Sequence, residues 1–345
     1  MMRLGILLLC YCILVFSCRD AQDTSAYIKI HGETMGTSYN ITCAYDQPEL
    51  LTDRIEKVLA EVNQGMNTYD QLSLISKFNQ SEKGMDFDLD TPAARHFYQN
   101  MAASRRIVKE TNGYFDPTVG PLVNYWGFGP SGRNNINVID SMAIDSVMQV
   151  ISFNRVILKK EGDAFTIDKS DPGVQLDFSA IAKGYGVDKI AEEMNQMGIQ
   201  DYLVEVGGET RLAGKNAKGQ NWSLAISEPK INASFQSIAH ILSITDRSVA
   251  TSGNYRNYYE VDGQIFGHTI NPFTGYPERS NLLSATIIHD ECMYADAYAT
   301  ACMAMGLEQS LLFVNTNPEV SYLFLYTDSE GQLQSADSGD LTFLE

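Results

Sequence analysis

The sequence predicts an α+β domain, one large unit of mixed sheets and flanking helices, with two lobes and a cleft between them. Helical and strand patterns come in runs, without the regular alternation that builds a parallel α/β sheet. No fixed-period repeat and no low-complexity linker divides the chain. Its 345 residues, 44% of them hydrophobic, suffice for one large buried core.

Taken in order, Tyr27-Ile28-Lys29-Ile30 alternates like a strand, and Ser38–Ala44 continues as a second. Pro48–Asn63 is helical, with Leu51, Ile55, Val58, Leu59 and Val62 on one face. Thr91–Thr111 is a helix with Thr91 as N-cap, Pro92 in its first turn and Gly113 just past its end. Asp140–Val150 and Tyr185–Met197 are further helices. Val156–Lys159 and Ala164–Ile167 flank Glu161-Gly162-Asp163 as a hairpin. Strands dominate from Tyr202 to Ile288, a helix spans Tyr294–Met305, and a strand at Tyr322–Tyr326 closes the chain.

The N-terminus reads as a processing signal. Arg3 precedes the apolar run Leu4–Phe16, which is short for a membrane span, and Val15-Phe16-Ser17-Cys18 resembles a lipoprotein cleavage box. The expectation is cleavage before Cys18 and lipid on its thiol, with an uncleaved anchor as the alternative. The folded part would then sit at the membrane on the extracytoplasmic (periplasmic) side, tethered by the polar stretch Arg19–Ala26. Of six cysteines, Cys10 and Cys12 lie in the signal, and Cys43, Cys292 and Cys302 are scattered without metal-ligand spacing. They are expected as small buried apolar residues, and no disulfide is assigned to them. A net charge of −18 argues against nucleic acid as a partner, because that binding needs clustered lysine and arginine.

Asp177–Asp188, DFSAIAKGYGVD, sets a carboxylate, a small-residue turn and Lys183 where the strand-like Gly173–Leu176 gives way to a helix. Free N–H groups at such a junction, with a lysine beside them, favour an anion. A Gly-rich turn with a surface lysine is the plain alternative. Asp296 and Thr300 lie one turn apart on an alanine-rich helix, so both side chains share a face. One carboxylate and one hydroxyl suit magnesium, although the plainer reading of the pair alone is that Asp296 caps the helix and Thr300 packs.

The segment from Asp177 to Tyr185 resembles a family signature, Asp-(Leu/Phe)-(Gly/Ser)-(Ala/Gly)-Ile-Ala-Lys-Gly-Tyr, that of the ApbE-type flavin transferases. Its companions stand in the family's order. They are Thr34–Thr37, Met66–Tyr69 with Ile75–Asn79, Gly113–Val123 leading into Trp126–Gly129, Glu205–Glu209, Ala250–Gly253, His268–Gly275 and Ala295–Ala301. The resemblance covers the chain from about His31 to the C-terminus. With the reading of the N-terminus, the expected division is 1–17 as lipoprotein signal peptide, 18–27 as lipidated cysteine and tether, and 28–345 as the catalytic domain that the resemblance implies. The resemblance also implies magnesium-dependent transfer of FMN from FAD to a threonine or serine of an acceptor protein, with AMP released. Acceptors of the family carry (Ser/Thr)-Gly-Ala-(Ser/Thr), often in subunits of flavin redox complexes. This chain lacks that motif, so action in trans is expected.

Residue by residue, the resemblance implies magnesium on Asp296, Thr300 and the backbone carbonyl of Ala180. Flavin and nucleotide contacts carry over to Met35, Tyr69, Tyr114, Phe115, Asp116, Asp177, Lys183 and Ile270. A threonine hydroxyl is a weak nucleophile at its own pKa, so a general base is needed. His268, in a segment matching the family's His-Ile-Ile-Asp-Pro, is the candidate among five histidines, with Lys183 assisting. A structural hydrogen-bonding role for His268 stays open. Asn271 stands where aspartate is usual, and Leu74 where glutamate is common. Trp126 either roofs the isoalloxazine or staples its own loop. Arg247, Ser252 and Tyr255–Tyr259 either shape the acceptor's entry or form a solvated strand edge. Two further activities fit the same residues: FAD pyrophosphatase, with water as nucleophile, or a flavin-binding lipoprotein without turnover. A redox flavoprotein fits them least.

Overall fold

The computed structural model describes residues 27–130, 139–162, 164–229, 237–254, 258–261 and 264–344. The expected signal, the expected lipid site at Cys18 and Tyr255–Asn257 lie outside the described residues. Strands β1 (Tyr27–Thr34) and β2 (Thr37–Ala44) form a hairpin closed by Met35 and Gly36, both at positive φ, as a two-residue turn of this hand requires. Helix α1 (Pro48–Met66) buries Leu51, Ile55, Leu59 and Val62 along one stripe, as its spacing predicts. Next come the short α2 (Leu74–Gln80), β3 (Gly84–Asp88) and α3 (Pro92–Glu110), whose N-cap Thr91 accepts from the Ala94 N–H at 3.2 Å. Helices α4 (Gly120–Tyr125) and α5 (Ser141–Met148) precede the hairpin of β4 (Val156–Glu161) and β5 (Ala164–Lys169).

Helix α6 (Ala182–Gln196) begins three residues earlier than its apolar spacing suggests, which puts Lys183 in its first turn. The stretch before it forms no strand, only a parallel bridge between Gln175 and Val119. Then follow β6 (Tyr202–Val206), β7 (Glu209–Ala213), β8 (Trp222–Ser227), β9 (Ile238–Ile244), β10 (Arg247–Gly253), β11 (Tyr258–Val261), β12 (Gln264–Gly267) and β13 (Leu282–His289). Helix α7 (Cys292–Thr316) breaks at Gly306, whose φ of 73° ends the run near the expected Met305 before a second stretch resumes. The chain does not close on β14 (Ser321–Thr327): β15 (Leu333–Asp337) and β16 (Phe343–Leu344) follow.

Eight antiparallel strands make the central sheet, in the order β1-β2-β6-β7-β10-β13-β14-β15. Both faces are covered. On β13, Ile287 joins the core formed with α3 and α7, while its neighbour Ile288 points to the other face beside Trp222 and Leu212. That other face is roofed by the three-stranded sheet β16-β9-β8. A second three-stranded sheet, β3-β5-β4, packs Phe165 and Ile167 into the same core as α3 and α7, so the expected lobes form one domain. Helix α7 is long and apolar enough to cross a membrane, but 61% of its most apolar window is buried inside the protein, as befits a core helix. Cys43, Cys292 and Cys302 are buried, as expected, and each is a free thiol.

Candidate functional site

Helices α6 and α7 meet at their N-terminal ends, and that meeting builds the site. A Cβ on Gly184 would stand 2.3 Å from the Cys292 carbonyl oxygen and 2.9 Å from Asp296 Cβ, so the approach needs glycine. Each helix caps the other. Asp296 Oδ2 on α7 accepts from the Gly184 N–H at 3.0 Å. Asp188 on α6 accepts from the Cys292 and Met293 N–H groups at 3.0 and 2.9 Å, where a carboxylate suits the positive end of the α7 dipole. Arg211 of β7 reaches Asp188 at 2.5 Å, and burial nonetheless pushes that carboxyl up to about 6.

Beside this junction lies a cavity of about 480 Å³. Ten of the twelve sequence-derived site residues line it: Tyr114, Phe115, Asp116, Asp177, Ala180, Lys183, His268, Ile270, Asp296 and Thr300. The Thr300 hydroxyl shares a 3.1 Å hydrogen bond with that of Ser252, a cavity residue whose role was open in the sequence. Among the described residues no cluster of three His, Cys, Asp or Glu side chains could hold a metal. A site with one carboxylate, one hydroxyl and one backbone carbonyl does not require one.

Lys183 Nζ lies 3.1 Å from Glu209 Oε1 and 3.6 Å from Asp296 Oδ1. Desolvation pulls the lysine pKa down, but Asp296 and Glu209 more than reverse this, so the ammonium is held charged. Burial raises the Glu209 carboxyl, Lys183 opposes that, and Asp296 adds to it. Glu209 is the residue the sequence reading passed over. It ends the motif Glu205–Glu209, and its one signal was an acidic side chain directly after a Gly-Gly turn.

Other placements differ from expectation. The N–H groups of Ile181 and Ala182 bond the Phe178 carbonyl at 3.0 and 2.8 Å, and that of Ser179 bonds Asp177 Oδ1 at 2.7 Å. With Gly184 N–H on Asp296, the junction is not a row of open donors, and the cation it offers is the Lys183 side chain. The carboxylate of Asp116 is committed to its own loop, accepting from Thr118 N–H, Thr118 hydroxyl and Phe153 N–H at 2.8, 2.6 and 2.9 Å. Met35 stands outside the lining, its methyl packed where Gly186 leaves room on α6. Tyr69 is 69% exposed, also outside the lining, with its hydroxyl 3.4 Å from the Phe128 carbonyl and within the field of Asp177.

Trp126 is 1% exposed and donates from its indole N–H to the Gly275 carbonyl at 2.8 Å, packed with Leu122, Ile144 and Ile270. It staples the loop behind Ile270. Arg247 pairs with Asp290 at 3.0 Å, away from the cavity. Asn79, from the motif Ile75–Asn79, grips Leu176 through two hydrogen bonds, 2.9 Å to its carbonyl and 2.7 Å from its N–H, and so fixes the entry to Asp177.

A sequence profile of the ApbE family matches residues 35–324. The FAD:protein FMN transferase of Haemophilus influenzae is 34% identical over 323 residues, 92% of this chain and 91% of that protein. That of Vibrio cholerae is 35% identical over 325 residues, 92% of each. The structure of the flavin transferase ApbE from Vibrio cholerae superposes with a TM-score of 0.80 at 34% identity, over 91% of this chain and 97% of that one.

Proposed function

The chain belongs to the ApbE family, and on that premise we propose that it transfers FMN from FAD to a threonine or serine hydroxyl of an acceptor protein, with AMP leaving. The observation that carries the proposal is the convergence on one cavity of His268, Lys183 and the Asp296–Thr300 pair. The pyrophosphate of FAD is a dianion entering a protein of net charge −18, so local cations must override the overall field. Lys183 is one.

Magnesium is the second. The donor set fits it: Asp296 Oδ1, Thr300 Oγ1 and the Ala180 carbonyl are hard oxygens lining one cavity and would hold the ion, with water and phosphate as its remaining ligands. Bound there, magnesium would offset charge on the pyrophosphate and on the departing AMP. The acceptor hydroxyl oxygen bonds to the FMN-side phosphorus, and the P–O bond to the AMP phosphate breaks with its electron pair leaving on AMP. His268 takes the hydroxyl proton. Lys183 steadies the anionic oxygens, while Tyr114, Phe115 and Ile270 give the cavity its apolar walls.

The acceptor segment is (Ser/Thr)-Gly-Ala-(Ser/Thr) in another protein, a subunit of a flavin redox complex. Lipid on Cys18 would hold the enzyme at the extracytoplasmic face of a membrane, where such an acceptor is reached. The test incubates the chain beginning after Cys18 with FAD, magnesium and a protein bearing Ser-Gly-Ala-Thr, and weighs the acceptor intact. One added FMN, lost with EDTA and with Asp296→Ala, is expected. Free FMN and AMP with an unmodified acceptor would make it a pyrophosphatase, and FAD retained whole would make it a carrier.

A further inference from the structure

We propose that Glu209 is the positioning residue for Lys183, holding the ammonium off Asp296 Oδ1 so that this oxygen can accept a divalent cation. The inference rests on the reading of Asp296 as a metal ligand. Lys183 is shared unequally, 3.1 Å from Glu209 against 3.6 Å from Asp296. Its stem is led toward Glu209 over the β6–β7 turn, where a Cβ on Gly207 would stand 3.3 Å from Lys183 Cδ and 2.8 Å from Thr37 Cγ2. Gly207 has φ +62°, so the turn itself favours glycine, and the side chain it omits leaves the lysine its path.

Of the three groups, Lys183 is the one able to move. Asp296 is anchored through Oδ2 by the Gly184 N–H at 3.0 Å, and its side chain is 2% exposed. The Lys183 side chain is 27% exposed on a flexible four-carbon stem with three rotatable donors. Glu209 is 5% exposed and lines the cavity, and its Oε2 has no hydrogen-bond partner among the described residues. A buried carboxylate oxygen without a donor is costly to retain. It is a landing place for the ammonium when a cation approaches Asp296 Oδ1. Ionised, the three groups carry −2 from the carboxylates and +1 from the lysine, −1 in all, and a divalent cation turns this to +1. The cluster then presents positive charge to an incoming pyrophosphate.

Without the Glu209 charge, the ammonium has Asp296 as its remaining carboxylate and competes for the metal's oxygen. The test is Mn2+ binding to the full soluble chain without FAD, read by calorimetry and by the Mn2+ paramagnetic signal. Glu209→Gln should weaken binding by about tenfold, within the range of couplings between adjacent sites. In a Lys183→Met background the same change should have little further effect, because Glu209 acts through the lysine. Glu209→Asp, which keeps the charge on a shorter arm, should give a smaller loss with the same dependence on Lys183. It serves as the test if the Gln variant does not fold. Unchanged affinity in both Glu209 variants, or an equal loss with and without Lys183, overturns the proposal. Asp296→Ala must abolish Mn2+ binding; if it binds normally, the metal-site reading fails instead, whatever Glu209 does.

Discussion

Asn271 shows how a single departure from a family pattern has its own physical logic. Its amide nitrogen donates to Glu278 Oε2 at 2.9 Å and to the Ala304 carbonyl at 3.3 Å, while its oxygen accepts from the Phe273 N–H at 2.9 Å. At 8% exposure it ties the loop after Ile270 to α7. Only an amide supplies donors and an acceptor together here. An aspartate would set a second carboxylate against Glu278 and lose the bond to Ala304. Asn271→Asp is therefore expected to destabilise the protein by about 1–3 kcal/mol, and by less in a Glu278→Gln background. Denaturant titration in the two backgrounds checks this, and an equally large loss in both would discard the charge argument. The identity of Asn271 was plain in the sequence. Its partners were not, because Glu278 and Ala304 come to it only through the fold. That Asp296, Thr300, Lys183 and His268 belong to one cavity was legible through the family motifs that carry them, which survive without a fold. Glu209 was not singled out, since its meaning lies in a lysine on another element.

At the scale of elements, the site depends on the two helices that cap each other. Asp188 binds the start of α7, Asp296 binds the start of α6, and Gly184 sits where they touch. Because the nearest atom is the Cys292 carbonyl at 2.3 Å, backbone rather than a flexible tip, even a methyl at Gly184 must push α7 away. Gly184→Ala should cost about 1–3 kcal/mol of stability and also weaken Mn2+ binding, since Asp296 and Thr300 ride on the displaced helix. Melting curves together with Mn2+ titration test this, and a destabilised protein with unaltered metal affinity would show that the contact serves packing alone. The long helices were readable from their apolar spacing and caps. Short elements such as α2, α4 and β3 carry too few residues for a period to declare itself. The β8 strand was readable as a strand, but not as a wall of the cavity, because sheet order is fixed by contacts between residues far apart in sequence.

At the scale of the whole molecule, buried titratable groups join the layers and make stability depend on pH. His96 on α3 shares a 2.7 Å hydrogen bond between Nδ1 and the Tyr185 hydroxyl of α6, and its Nε2 is 4.0 Å from Glu61 of α1. Burial, with Lys189 and Arg95 nearby, pushes its pKa down from 6.5 to about 4. The unfolded chain therefore binds a proton that the folded one refuses between those two values. Stability from this group is fully present above pH 6.5 and is lost as pH falls toward 4, by at most about 3 kcal/mol. Asp188, pushed up to about 6, acts in the opposite sense over an overlapping window, because the folded state there holds a proton the unfolded chain has released. The net slope of the native protein mixes the two, so comparison with His96→Gln isolates the histidine. The variant should be less stable than the native protein at pH 7.5, from the altered packing and bond to Tyr185, yet lose less on acidification to pH 4.5, so that the two curves converge. Urea unfolding across that range measures the gap directly. A gap that stays constant would mean that His96 titrates in the fold as it does in the open chain, and that α1, α3 and α6 are held together by packing independent of its charge.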